Sequence, residues 1–127
     1  MIPKTGIKCA TTLGVNEFGH HDLLDERLSI KFGTWYFAEL VKKFDGQEML
    51  AMAGYNGGPH NVARWLTARG SSMDMDAFVE TIPFDQARNY AKKVTRFVGL
   101  YRKLYEKKEM LYIGNELNPR FRTHPNY

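Results

Sequence analysis

The chain has 127 residues, 43% of them hydrophobic and 25% charged, which suffices for one buried core and is too little for two domains. Eighteen Lys and Arg against 14 Asp and Glu give a formal charge of +4, a balance that favours acidic partners such as an anionic polymer without choosing among them. The lone Cys9 excludes an internal disulfide and reads as a packed thiol, and no run approaches the ~20 apolar residues of a membrane span.

Pro3 and Thr5 open a short helix of small residues that Gly14 should stop, and residues 14 to 24 read as loop. Asp25 is a good N-cap for a long helix in which Leu28, Phe32, Trp35, Tyr36, Leu40 and Val41 recur at helical spacing until "FDG" at 44 to 46. Ile30 and Phe37 fall off that stripe, so the helix is expected to be buried on more than one face and to form the centre of the domain. Trp35 and Trp65 both sit on apolar stripes and are expected in the core.

Residues 47 to 56 make a third helix that ends at a glycine pair, and Pro59 begins a fourth that runs to Gly70. "GSSMDMD" reads as a polar loop, and Pro83 marks the start of the last helix. There Tyr90, Val94, Phe97, Val98, Tyr101, Leu104 and Tyr105 form an apolar stripe with basic residues opposite. "NELNPRFRTHPNY" has two prolines and no period, and is expected to be extended or mobile. With no alternating stretch long enough for a sheet, the fold class is all-α.

Two stretches carry more than helix punctuation. "GYNGGP" at 54 to 59 sets a phenol, Tyr55, and an amide, Asn56, at a chain break that one glycine could have made. "FVETIPFDQARNY" at 78 to 90 places Glu80 before Pro83, with Arg88 and Tyr90 in the next two turns. Each residue has a bland reading, as a cap or an ion-pair partner. Both stretches in this order are harder to explain that way.

Together they resemble the lytic transglycosylase SLT domain, the catalytic module of soluble bacterial murein transglycosylases, which has a lysozyme-like helical fold. "IPKT" at 2 to 5, "DERLSIKFGTWYF" at 25 to 37, "YNGGP" at 55 to 59, "RW" at 64 to 65 and "IPFDQARNY" at 82 to 90 carry the likeness. Gly54 and Ala87 stand where the family usually has Ala and Thr, and Glu26 and Ser29 replace a Pro and an Asn. The domain is expected over residues 1 to 108, lacking its leading helices, with a tail over 109 to 127.

The resemblance implies cleavage of the bond between N-acetylmuramic acid and N-acetylglucosamine in peptidoglycan. One glutamate acts as acid and then base while the sugar's own 6-hydroxyl attacks, giving a 1,6-anhydromuramic end, a departure from the usual two-carboxylate scheme. That glutamate belongs to a Glu-Ser pair expected upstream of Met1, so no catalytic residue is assigned within the chain, which is predicted inactive as it stands. Carried over by motif, the substrate-binding residues are Tyr55, Asn56, Glu80, Tyr90, Thr5, Ile2 and Tyr101. Glu80 would contact the sugar from the opposite wall, and Tyr101 fits the core stripe equally well.

Peptidoglycan strands are the partner implied, in the periplasm or cell envelope, although the chain shows no export signal of its own. No metal or other cofactor is expected, since His20, His21 and Asp22 are adjacent in a loop and side chains so placed rarely converge on one ion. The basic run near 92 to 108 reads as a solvated helix face, and no nucleic-acid partner is expected. Two alternatives stand beside the transglycosylase: a non-catalytic peptidoglycan-binding or structural module, and a goose-type lysozyme-like hydrolase.

Overall fold

A computed structural model of the chain describes residues 3–69, 73–107 and 116–118. Among these there are six α-helices and one 3-10 turn, with no strand. No helix among them is long and apolar enough to cross a membrane.

Helix α1 (Pro3–Thr12) buries the small residues Gly6, Cys9 and Ala10, and Gly14 ends it at φ +67°. A 3-10 turn over His20–Leu24 follows, where the Asp22 carboxylate accepts from the Gly19 backbone N–H at 2.7 Å. Asp25 caps α2 (Glu26–Lys43) by accepting from the Leu28 N–H at 3.0 Å. Phe32, Tyr36, Leu40 and Lys43 form the buried side of α2. Phe37 is half-buried, whereas Ile30 is 69% exposed, so the second buried face expected of α2 extends to Phe37 and not to Ile30. The helix closes through Asp45 and Gly46 at positive φ, with the Gly46 N–H donating to the Val41 carbonyl at 2.9 Å.

The centre of the fold is α3 (Glu48–Gly57), not α2. Six consecutive residues, Met49 to Gly54, are buried, and a helix apolar on all sides must be surrounded. It packs against α2, α4 (Pro59–Arg69) and α6 (Asp85–Tyr105). Pro59 sits at the first position of α4, which turns Val62, Trp65 and Leu66 inward. Trp65 meets Phe84 edge-on at 5.1 Å.

A short helix, α5 (Met75–Glu80), occupies part of what the sequence suggested was loop, burying Met75, Phe78 and Val79 at i, i+3 and i+4. Pro83 precedes α6 by two residues instead of starting it. The buried side of α6 runs through Ala87, Ala91 and Gly99, a line of small residues that lets it close on α3. A Cβ placed on Gly57 would lie 2.8 Å from the Ala87 Cβ, so the two backbones approach as far as glycine permits. Thr95 joins this line, its hydroxyl donating to the Met49 sulfur at 2.7 Å. The expected stripe is therefore rotated: Tyr90, Val94 and Val98 flank the seam, while Phe97, Tyr101, Leu104 and Tyr105 are exposed.

Within the segment expected to be a tail, residues 116–118 are pinned to the turn after α2. Gln47 exchanges two hydrogen bonds with the Asn118 backbone, at 2.7 and 2.9 Å, and Leu117 packs against the core.

Candidate functional site

The turn from α3 to α4 builds the site. Gly58 adopts φ +88°, ending α3 so that Tyr55 and Asn56 occupy its last turn beside the start of α4. The Tyr55 ring lies parallel to Tyr90 of α6 at 6.2 Å and tilts against Tyr36 of α2 at 5.6 Å. Its hydroxyl reaches Gly33, where a Cβ would stand 3.0 Å away. The mid-helix glycine at 33 thus makes room for that phenol.

Thr5, Tyr36, Gly54, Tyr55, Asn56, Gly58 and Tyr90 line an open recess of about 350 Å³. A second recess, about 260 Å³, shares Thr5, Tyr36 and Gly58 with it and continues past Lys4, Lys8, Cys9, Trp35, Pro59 and His60. A third touches the first at Asn56 and runs along Phe84, Asp85 and Gln86 at the start of α6. The three form one groove across the helix ends. Its first two parts offer phenols, an indole, an amide, a threonine, a thiol, an imidazole, two lysines and backbone, and no carboxylate among the described residues. Asp85, in the third, is exposed and bonded to the Arg88 guanidinium at 2.5 Å.

Burial sets the ionisation of Tyr36 and Tyr55. Tyr36, nearly enclosed, is pushed up to about 12, chiefly by desolvation and then by Cys9 and Tyr55. Tyr55 is raised for the same first reason, with Tyr90 next, and burial also pushes up the Cys9 thiol. These groups are neutral hydrogen-bonding partners at neutral pH. Since the folded pKa of Tyr36 lies above its ordinary 10, its contribution to stability is complete below pH 10 and is lost as pH rises from 10 through 12. Unfolding free energy should fall over that window by on the order of 2 kcal/mol, and a Tyr36→Phe variant should fall less. Urea titrations of both proteins at a series of alkaline pH values would show it, and equal slopes would refute it.

Of the residues singled out from sequence, Thr5, Tyr55, Asn56 and Tyr90 come together in the first recess. Glu80 does not line it. Its carboxylate ends α5 and accepts from the Lys92 ammonium at 2.5 Å, and that hydrogen bond, with the lysine's charge, holds it below the usual carboxylate range. Tyr101 stacks on Tyr105 at 5.3 Å and is 64% exposed, so it joins neither the groove nor the core. Ile2 lies outside the described residues. Trp65 is in the core as expected, whereas Trp35 is only half-buried and faces the second recess. Sequence pattern does not mark Tyr36 and Gly58 as site residues: Tyr36 looks like one more member of an apolar stripe, and Gly58 like a helix stop. Among the described residues, no group of three His, Cys, Asp or Glu stands close enough to hold a metal ion.

Comparison with known proteins gives a consistent result. The family described as transglycosylase SLT domain matches residues 3–78. A soluble lytic murein transglycosylase of Salmonella typhimurium is 31% identical over 122 residues, covering 95% of this chain and 19% of that protein. Its counterpart in Escherichia coli K12 is 34% identical over 99 residues, covering 78% and 15%. Among solved structures, the 70 kDa soluble lytic transglycosylase of Escherichia coli superposes with a TM-score of 0.76 at 30% identity, over 87% of this chain and 18% of that one. An inactive mutant of the lytic transglycosylase Slt from Pseudomonas aeruginosa gives 0.75 at 27% identity, over 87% and 18%. The chain spans about a fifth of the length of these relatives.

Proposed function

This chain belongs to the transglycosylase SLT domain family, and from that premise we propose that its groove binds a peptidoglycan glycan strand as the binding wall of a lytic transglycosylase. The observation that carries the proposal is the first recess, where the parallel Tyr55 and Tyr90 rings, the Asn56 amide and the Thr5 hydroxyl surround an open trough. Ring faces suit the apolar faces of sugars, and an amide and hydroxyls suit their N-acetyl and hydroxyl groups. A trough that continues over adjoining recesses suits a polymer better than a single small molecule.

The reaction we assign to the complete site is non-hydrolytic cleavage between N-acetylmuramic acid and N-acetylglucosamine, giving a 1,6-anhydromuramic end. Its first need is an acid at the glycosidic oxygen, shielded enough to remain protonated. Asp85, in the groove's third part, does not meet it, being tied to Arg88 at the surface, and Glu80, outside the groove, is tied to Lys92. We infer that none of the described residues lining the groove supplies that acid. Without an acid from elsewhere the same groove would serve as a non-catalytic glycan-binding module, the second reading, favoured by this lack of a shielded carboxylate among the described lining residues. Either way the setting we infer is the periplasm or cell envelope, where the polymer is.

The test is calorimetric titration with a purified muropeptide tetrasaccharide. Asn56→Ala and Tyr90→Ala should each lower affinity about fivefold, the equivalent of one lost hydrogen bond or stacking face. Glu80→Gln should matter only for strands long enough to reach α5, and unchanged affinity at every strand length would remove Glu80 from the contact set. Unchanged affinity in both Asn56→Ala and Tyr90→Ala would overturn the assignment of the groove.

A further inference from the structure

The outer face of α6 is not explained by the fold or by the groove. The helix meets the core through Ala87, Ala91, Thr95 and Gly99, yet Phe97, Leu100, Tyr101, Leu104 and Tyr105 also recur at three- and four-residue spacing on a side that faces solvent. Leu104 is 70% exposed and Tyr105 75%. Apolar side chains exposed as a row, and not singly, mark an interaction surface.

The charges beside this row say what it meets. Residues 93 to 107 hold five cations, Lys93, Arg96, Arg102, Lys103 and Lys107, against one acid, Glu106, so they concentrate a charge equal to the whole chain's formal +4. Lys93, Arg96 and Lys103 fall on the stripe next to Phe97, Leu100 and Leu104. The Lys93 ammonium stands over the Phe97 ring at 6.0 Å. Along this edge a shallow concavity of about 650 Å³ is lined by Asn89, Lys92, Lys93 and Arg96 together with Phe97 and Leu100.

We propose that this face of α6 docks on an anionic phospholipid surface, with Lys93, Arg96 and Lys103 on the headgroup phosphates and Phe97, Leu100 and Leu104 at the boundary with the acyl chains. A helix lying flat in an interface needs this pairing of an apolar row with a cationic one, and tyrosines such as Tyr101 and Tyr105 settle at headgroup depth. The rings of Phe97, Tyr101 and Tyr105 alone would also suit a sugar, but Leu100 and Leu104 beside a cationic row give a sugar neither a ring face nor a hydrogen bond, and suit acyl chains under anionic headgroups. Each cation near such a surface contributes about 1 kcal/mol, so attachment by one face is weak, reversible and sensitive to salt.

The experiment is co-sedimentation of the 127-residue chain with vesicles of phosphatidylglycerol mixed into phosphatidylcholine, and with vesicles of phosphatidylcholine alone. Binding is expected only to the first, weakening as salt is raised. Replacing both Arg96 and Lys103 by Gln should weaken it about thirtyfold, from two lost cations. Leu104→Ser, at an exposed position that leaves the helical circular dichroism intact, should weaken it about tenfold without changing muropeptide affinity in the groove. That last readout separates failure here from failure of the glycan assignment. Equal binding to both vesicle types, no binding to either, or wild-type binding by Leu104→Ser would overturn the proposal. So would a concentration-dependent dimer that Leu104→Ser dissolves, which would make the face a contact between two copies.

Discussion

Incubated with purified murein, these 127 residues should release no 1,6-anhydromuropeptides above background, while the same chain extended by the family's Glu-Ser segment should. General acid catalysis supplies about 10²–10⁴-fold in rate, and it needs a protonated group within reach of the leaving oxygen. Among the described residues, none lining the recesses around Thr5, Tyr55, Asn56 and Tyr90 is a carboxylate. Glu80, held below the usual range by Lys92, is ionised at neutral pH and has no proton to give. Asp85 is 80% exposed and engaged by Arg88. An extended chain that is at least about a hundredfold faster would agree with this distribution of roles. Equal rates of anhydro product would place the acid inside the chain, and Glu80→Gln and Asp85→Asn would then show which carboxylate it is. Reducing muramic ends in place of anhydro ends would point to the lysozyme-like hydrolase.

The second large effect is expected at the α3–α6 seam. A Gly57→Val variant puts a Cβ 2.8 Å from that of Ala87, with the Trp65 ring at 3.5 Å, and adds two methyl groups at that close approach. Overpacking of this kind costs about 3 kcal/mol, a large part of the ~5–15 kcal/mol that stabilises a domain. The groove should suffer with it, since Gly57 lies between Asn56 and Gly58 and the seam fixes the distance from Tyr55 to Tyr90. Urea unfolding measures the loss. Adding Ala87→Gly should restore part of it, because the two side chains compete for one space. A Gly57→Val protein as stable as the parent would mean that α6 can move away freely.

What was legible in the sequence was mostly local. Asp25 capping α2, Gly14 and Gly46 at positive φ, and Pro59 opening α4 are each dictated by the backbone at one residue, and each stands where the sequence places it. The harder features depend on neighbours distant in the chain. Helix α5 has no capping hydrogen bond from its Asp74 and only six residues, so its burial of Phe78 and Val79 creates it more than any propensity does. The side of α6 that packs is chosen by how closely α3 can approach, which favours Ala87, Ala91 and Gly99 over the larger residues that a hydrophobicity pattern highlights. Likewise, the order of motifs drew attention to Thr5, Tyr55, Asn56 and Tyr90, which do share a recess. Nothing in that order says that Lys92, twelve residues on, takes hold of Glu80, or that Tyr36 closes the wall behind Tyr55.

Where a glycan strand sits on the molecule can be read directly from amide chemical shifts of the isotopically labelled chain during titration with a muropeptide tetrasaccharide. The shifts should concentrate at Thr5, at residues 54 to 58 and at Tyr90, with a second, weaker group beside Trp35 and His60 for longer strands. They should leave the outer face of α6 unmoved. Saturating shifts confined to residues 97 to 107, or no shifts at all with a folded protein, would contradict a glycan-binding groove at the α3–α4 turn.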